Sequence, residues 1–311
     1  MQSIVKPLLR PLPLLGLSTG SLSLYLFTAA ATLSTKSTPP PATIMPPYPT
    51  TPYTPRHTTW PYNPSDFTRQ DSKPDTNFYS SPRFVTHIDD LAIASLRQYY
   101  ASVLPPSGRI LDFCSSWISH YPPNIEAAAQ KGDLQITGMG MNAAELAANN
   151  ALNAGRLLVD LNEEPDVAAA LKAQGQKAEE TTEKLDASTC VVSIDYLTSP
   201  VALLRSLRAA TKPGGTVHLV ISNRCFPTKA ISRWLRVDEH ERLLMVGDFL
   251  HFAGWKGIEI VEISDGKMRP EEQAGGEAAA SNSLQGLFGL MGMAAGRRDP
   301  LWVVRAVNEG D

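Results

Sequence analysis

Hydrophobic and polar positions divide most of the chain into short apolar runs and longer segments with helical spacing. The apolar runs predict strands at Ile110–Phe113, Leu134–Met139, Leu157–Leu161, Thr189–Ile194, Thr216–Ser222, Gly257–Ile263 and Leu301–Val307. Helical spacing predicts helices within residues 78–104, 125–130, 143–151, 164–184, 200–210 and 242–252. Strands separated by helices need crossover connections, which favour a mostly parallel sheet with helices on both faces. Because no helical pattern separates the last two runs, we expect an α/β fold with a seven-stranded sheet and an antiparallel final strand.

The first part of the chain does not follow this alternation. Residues 11–35 carry no charge and follow the basic residues Lys6 and Arg10. They are long enough to span a bilayer, their Ala29-Ala30-Ala31 fits a signal-peptide cleavage site, and their composition also suits an organelle presequence. We therefore interpret residues 1–36 as a targeting or membrane-anchor segment. Residues 37–77 are rich in proline and predict a disordered linker, and the folded domain is expected over residues 78–311, with a flexible insertion at residues 267–298.

The targeting interpretation implies a mitochondrial or other organellar protein, and the anchor interpretation adds association with a membrane through the N-terminus. The cytoplasm is the alternative. The net charge is -3, although residues 1–65 contain four basic residues and no acid. The rest of the chain is therefore acidic and offers no basic surface for nucleic acid. We expect a small-molecule partner, and the sequence does not predict an oligomeric state.

The three cysteines, Cys114, Cys190 and Cys225, are far apart in the sequence and form no C-x-x-C pair. This spacing indicates neither a zinc site nor a disulfide framework. The histidines show no metal-ligand spacing, and no P-loop or G-x-S-x-G pattern is present. The sequence therefore predicts no metal site.

In an open parallel sheet, ligands bind outside the carboxyl ends of the strands, where the strand order reverses. The residues that follow the first five predicted strands are Asp112–Ser116, Gly138–Asn142, Asp160–Asn162, Ser193–Tyr196, and Asn223 with Arg224. These residues are the first candidates for a functional site.

Five segments, in order and at matching spacing, resemble the class I S-adenosylmethionine-dependent methyltransferases. They are "RILDFCSSW", "ITGMGMNAAEL", "LLVDLNEEP", the run from "LDASTCVVSIDYL" through "KPGGTVHLVIS", and "FLHFAGWKGIEIVEI". The resemblance covers residues 78–307 and implies a Rossmann-like three-layer sandwich that binds S-adenosyl-L-methionine. "RILDFCSSW" stands where the family has an acid and a glycine-rich loop, so the glycine motif is degenerate in this chain.

Carried over by position, the resemblance places Asp112 near the cofactor's ammonium group, and Cys114, Ser115 and Ser116 in place of the glycine loop. Gly140 stands where the family has the acid that binds the ribose hydroxyls, and Asn142 is a candidate substitute. The remaining implied cofactor contacts are Asp160 and Leu161 at the adenine, Met139 and Met141 packed against it, and Ser193. Each has a structural alternative: strand-end acids bind nearby backbone, Ser115 and Ser116 suit helix caps, and Met139 suits a core.

Asp195 and Tyr196 are the first candidates for catalytic groups, followed by Asn223, Arg224, His87 and His120. The function predicted on these grounds is methyl transfer (EC 2.1.1.-) to a small molecule. A catalytically inactive methyltransferase-like binding or assembly protein is the alternative, favoured by the missing glycines and the missing ribose acid. A Rossmann dehydrogenase ranks last because no G-x-G-x-x-G follows the first strand.

Overall fold

The computed structural model describes residues 48–175, 184–267 and 298–310. The helices are α1 (Asp75–Phe78), α2 (Asp90–Val103), α3 (Pro123–Lys131), α4 (Ala143–Ala148), α5 (Val167–Gly175), α6 (Pro200–Ala210) and α7 (Glu239–Phe252). The strands are β1 (Thr50–Pro52), β2 (Gly108–Phe113), β3 (Leu134–Gly140), β4 (Gly155–Leu158), β5 (Leu185–Val191), β6 (Thr211–Ser222), β7 (Lys256–Ser264) and β8 (Leu301–Val307).

The described residues form one eight-stranded sheet in the order β1-β7-β8-β6-β5-β2-β3-β4. Strands β2 to β6 pair in parallel, and β8 runs antiparallel between β6 and β7. From β2 the chain moves outward to β3 and β4, then returns to place β5 on the other side of β2. The strand order therefore reverses between β2 and β5, which makes their carboxyl ends the expected ligand site.

The core lies on both faces of the sheet, because successive residues of a strand point to opposite sides. Ile110 belongs to one buried cluster together with Leu96 of α2, whereas the adjacent Leu111 belongs to the other, together with Leu204 of α6. Helices thus cover both faces, and the predicted Rossmann-like three-layer α/β fold with an antiparallel final strand is confirmed.

The predicted disordered linker is wrong for its described part, residues 48–77. Thr50–Pro52 adds an eighth strand by pairing antiparallel with β7, and Tyr53 and Tyr62 are buried. Both tyrosine hydroxyls donate to the carboxylate of Asp248 in α7, and the Arg56 guanidinium lies 2.6 Å from Asp248 Oδ2. Proline excludes helix and central strand but allows an edge strand and extended chain, so composition alone did not reveal this docking.

Other boundaries also differ from the sequence prediction. The helix expected within residues 78–104 begins at Asp90, where the Asp89 side chain caps Ala92 N, so residues 79–89 are a loop. The segment 1–36, part of the predicted helix at residues 164–184, and nearly all of the insertion 267–298 lie outside the described residues. Within the described ranges, no helix has the length and apolar character needed to cross a membrane.

Candidate functional site

A cavity of about 340 Å³ opens at the carboxyl ends of β2, β3 and β5, where the strand order reverses. Its size is within the range of small-molecule pockets. Ten of the twelve predicted site residues line it: Asp112, Cys114, Ser115, Ser116, Gly140, Asn142, Asp160, Leu161, Ser193 and Tyr196. The loop before α2 supplies a further wall that includes Arg83 and His87.

Asp112, at the end of β2, is held by three hydroxyl groups. Its Oδ2 accepts hydrogen bonds from Ser115 Oγ (2.7 Å) and Ser119 Oγ (2.6 Å), and its Oδ1 accepts one from Thr189 Oγ1 (3.2 Å). Burial raises the pKa of Asp112 to about 6, and these hydroxyls oppose the shift. Among the described residues the carboxylate has no cationic partner, and an added cation would favour its charged form.

Backbone strain concentrates at this cavity. Among the described residues, Cys114 (φ 54°), His120 (φ 57°) and Val192 (φ 42°) are the non-glycine residues with positive φ, and all three line the cavity. Left-handed backbone is costly for residues with a Cβ, above all for the branched valine, and such strain gathers at functional sites. Cys114 therefore keeps the conformation that a glycine would favour at the first position of the loop.

The loop after β2 lies directly against β3. Ser115 N donates to Met139 O (2.8 Å), and a Cβ added to Gly140 would lie 2.1 Å from Ser115 O. Glycine is required here because backbone cannot move aside as a side-chain tip can. An acid at position 140 is therefore incompatible with this loop.

Two predicted contacts are placed differently. Met139 is fully buried in the core and does not line the cavity, whereas Met141 does. Asn142 lines the cavity but is the N-cap of α4: its Oδ1 accepts from Ala144 N and Glu145 N, and its Nδ2 donates to Tyr79 O. Its amide is committed to the fold, so it is a poor substitute for a ribose acid.

The residues predicted to contact adenine, Asp160 and Leu161, line the cavity. Asp160 Oδ1 accepts from Asn162 N (3.0 Å), which leaves Oδ2 for another donor, and Leu161 supplies an apolar surface. Ser193 also lines the wall, with its hydroxyl donating to Val191 O. The structure brings these residues together with Asp112, and their contact with a cofactor stays a prediction.

The two predicted catalytic groups separate. Tyr196 lines the cavity, but its hydroxyl accepts from Phe226 N (2.8 Å), and burial raises its pKa. Asp195 is buried and does not line the cavity; burial raises its pKa to about 8, so it is largely protonated at neutral pH. The position of Asp195 therefore does not favour contact with a substrate, and the Tyr196 hydroxyl is already bonded to Phe226 N.

Unlike Asp195, His120 lies at the cavity wall. It lines the cavity with 6% of its surface exposed, and its Nδ1 is buried without a hydrogen-bond partner among the described residues. Burial, with Arg97 and His87 nearby, lowers the pKa of His120 to about 4. The imidazole is neutral at pH 7 and can accept a hydrogen bond from a ligand in one of its tautomers.

Sequence reasoning missed two further residues at the wall, Glu145 and Arg83. Glu145 Oε1 accepts from Arg83 N (2.7 Å), and its Oε2 accepts from Ser116 Oγ (2.7 Å). The Arg83 guanidinium stacks 4.3 Å above the Phe78 ring, and its Nη1 has no hydrogen-bond partner in the described ranges. The spacing Asn142-x-x-Glu145 is that of a helix capping box, a pattern that indicates a local role at the helix start and not a place at a ligand site.

Comparisons with known proteins add solved structures of low similarity. No protein-family model matches the chain, and no curated protein sequence does. Phosphoethanolamine N-methyltransferase 2 of Haemonchus contortus is 16% identical over 71% of this chain, with a TM-score of 0.40. The likeness is one of fold. The chain spans about half of that enzyme, 52% of its length.

Other similar structures have different activities in their names. The [4+2]-cyclase SpnF is 16% identical over 76% of this chain and 92% of its own, with a TM-score of 0.43. Geranyl diphosphate C-methyltransferase of Streptomyces coelicolor A3(2) is 14% identical over 70% of this chain and 80% of its own, with a TM-score of 0.38.

The residues at the cavity fit S-adenosylmethionine at two of three positions. Asp112 offers a buried carboxylate that has no cationic partner in the described part of the chain, which suits an ammonium group. Asp160 Oδ2 has no hydrogen-bond partner among the same residues and can accept from an amine donor. At the ribose position Gly140 offers no acid, and the Ser115 carbonyl excludes one. A different residue must bind the ribose hydroxyls if the cofactor occupies this cavity.

Proposed function

We propose that this protein is an S-adenosylmethionine-dependent methyltransferase that acts on a small molecule. The observation that carries the proposal is the placement of Asp112 and Asp160 at one cavity together with Cys114, His120 and Val192, the described non-glycine residues with positive φ. Strain of this kind persists only where surrounding structure holds it, and its concentration at a strand-order reversal supports a ligand site.

The cofactor would supply an activated methyl sulfonium. The chain's own task is then to orient the two ligands and to exclude water, which leaves little need for a strong catalytic base. Asp112 and Asp160 hold the two ends of the cofactor. His120 accepts a hydrogen bond or proton from the acceptor, and its low pKa fits an acceptor group that loses its proton readily. Arg83 offers an oxygen of the acceptor its Nη1, which has no hydrogen-bond partner among the described residues.

Calorimetric titration with S-adenosylmethionine tests the proposal. We expect saturable binding to the wild-type chain, and binding about 10- to 100-fold weaker for Asp160→Ala, since a hydrogen bond to a charged group contributes about 1.5–3 kcal/mol. Glu163→Ala is the matched control, because Glu163 is an exposed acid of the same loop that does not line the cavity. Absence of heat at millimolar cofactor would contradict the proposal.

A catalytically inactive methyltransferase-like binding protein is the second candidate. It is favoured by the Ser115 carbonyl, which occupies the place of the family's ribose acid. Labelled methyl groups separate the two functions: incubation of a small-molecule extract with methyl-labelled cofactor and the wild-type chain should label a compound. Cofactor binding without labelling in any extract would favour the inactive protein.

Organelle targeting by residues 1–36 is a separate proposal, supported by the basic residues of this segment, its long uncharged run and its lack of acids in the sequence. A fluorescent fusion of residues 1–65 should localise to an organelle. A diffuse signal would contradict it.

A further inference from the structure

The buried acid Glu145 lies at the cavity with acceptor sites that the described residues leave unused. Its exposed fraction is 7%, and it is one of the residues that line the cavity. A carboxylate has about four acceptor sites, and Glu145 uses one for Arg83 N and one for Ser116 Oγ. Within the described ranges no Lys, Arg or His lies within ion-pair distance of it, so the hydrogen bonds that compensate for its burial come from two neutral donors, Arg83 N and Ser116 Oγ.

Glu145 lies close in the fold to Gly140, the position where the methyltransferase family has its ribose-binding acid. Glu145 is in the first turn of α4, the helix that follows β3 and therefore Gly140. Its partner Ser116 is adjacent in sequence to Ser115, whose carbonyl blocks any side chain at position 140. The same loop thus excludes an acid from β3 and holds an acid from α4.

We propose that Glu145 binds the two ribose hydroxyls of S-adenosylmethionine, in place of the acid that the end of β3 lacks. This inference rests on the proposed function. Two vicinal hydroxyls are donors that match the two unused acceptor sites of the carboxylate, and hydrogen bonds to a charged acceptor are about twice as strong as neutral ones. Asn142 cannot take this role, because its amide caps α4 and binds Tyr79 O.

The test combines a change in the protein with a change in the ligand. S-adenosylhomocysteine is titrated calorimetrically into the wild-type chain, Glu145→Gln and the control Glu126→Gln, which alters a first-turn glutamate of α3 away from the cavity. Adenosine and 2′,3′-dideoxyadenosine then compete for the site in each protein. The Glu145→Gln substitution keeps the side-chain size and one acceptor oxygen, and melting curves show whether each variant is folded.

We expect Glu145→Gln to weaken binding of S-adenosylhomocysteine about 10- to 100-fold and Glu126→Gln to leave it unchanged. Adenosine should compete better than its dideoxy form against the wild-type chain, and this preference should largely disappear in Glu145→Gln, because coupled groups are non-additive. Equal affinity of wild type and folded Glu145→Gln, or an unchanged preference for ribose hydroxyls, would overturn the assignment while leaving the proposed function intact. Failure of the wild-type chain to bind would overturn both.

Discussion

At the residue scale, three residues of the site have a bonding pattern, a charge state or a backbone angle that is unusual for their residue type. Asp112 is a carboxylate whose partners are neutral hydroxyls, His120 is a histidine kept neutral by burial, and Val192 is a branched residue with left-handed backbone. Sequence identified Asp112, because a buried strand ending in an acid is a visible pattern. It gave no sign of the backbone angle at Val192, which depends on contacts distant in sequence.

The titration of Asp112 predicts opposite effects of Asp112→Asn on stability and on binding. The pKa of Asp112 is about 6 in the folded chain, above its ordinary value of 3.8. The folded state therefore holds the proton more tightly, and wild-type stability falls as the pH rises from about 4 through about 6. Asn resembles the neutral acid. Above pH 6, Asp112→Asn should therefore be more stable than wild type by on the order of 2–3 kcal/mol, and below pH 4 this gain should disappear.

Urea unfolding at intervals from pH 4 to pH 8 measures this difference, and cofactor titration of the same samples measures binding. We expect the variant to be more stable at pH 8 and to bind S-adenosylmethionine more weakly. A variant that is less stable than wild type at pH 8 would show that the charged carboxylate stabilises the fold.

Strain at Val192 predicts an unequal response of two neighbouring valines to glycine. Val191 and Val192 are both half-buried, but Val192 has a φ of 42°. Val192→Gly should cost about 1–2 kcal/mol less than Val191→Gly, because relief of left-handed strain offsets the lost side chain. The free energies of unfolding in urea check this order. Equal losses would show that the backbone at Val192 is not strained.

At the element scale, the strand-helix alternation was predictable because apolar periodicity reports directly on burial. The antiparallel final strand followed from the missing helix before it, and the structure agrees. The docking of residues 48–77 was not predictable, because Tyr53, Tyr62 and Arg56 contact a buried acid of α7 almost 200 residues away. Proline content indicates the local conformation of the chain and carries no information about contacts with residues distant in the sequence.

The docking of this N-terminal segment predicts which tyrosine hydroxyls stabilise the fold. Tyr62→Phe leaves Asp248 with one donor fewer in a buried place and should cost about 1–3 kcal/mol. Tyr48→Phe is the control in the same segment, because the Tyr48 hydroxyl is buried with no partner in the described part of the chain. Its removal should be neutral or slightly stabilising. Equal melting temperatures for Tyr62→Phe and wild type would argue against the docked segment.

Close packing of the loop after β2 against β3 predicts a contrast between two glycines of one strand. A Cβ at Gly140 meets the Ser115 backbone, whereas a Cβ at Gly138 meets the methyl groups of Leu152, which can rotate. Gly140→Ala should therefore destabilise the protein more than Gly138→Ala, and by about 1–3 kcal/mol relative to wild type. Thermal or urea unfolding of both variants gives the order. A larger loss of stability for Gly138→Ala than for Gly140→Ala would contradict a rigid contact between Gly140 and the Ser115 backbone.

At the scale of the whole molecule, the strand order places the cavity and the loops determine its chemistry. The reversal between β2 and β5 brings together residues from four strand ends, which is why ten predicted site residues meet although they are spread over the chain. Glu145 was not foreseen, because its place at the cavity wall involves contacts with Arg83 and Ser116, which are distant in the sequence. The sequence thus predicted the location of the site better than its bonding.

A crystal structure of the protein soaked with S-adenosylhomocysteine tests the central claim most directly. We predict electron density in the cavity at the ends of β2 and β3, with the ligand's ammonium group at Asp112 and its ribose hydroxyls at Glu145. An empty cavity at saturating ligand, or density for the ligand only at another place, would contradict the account.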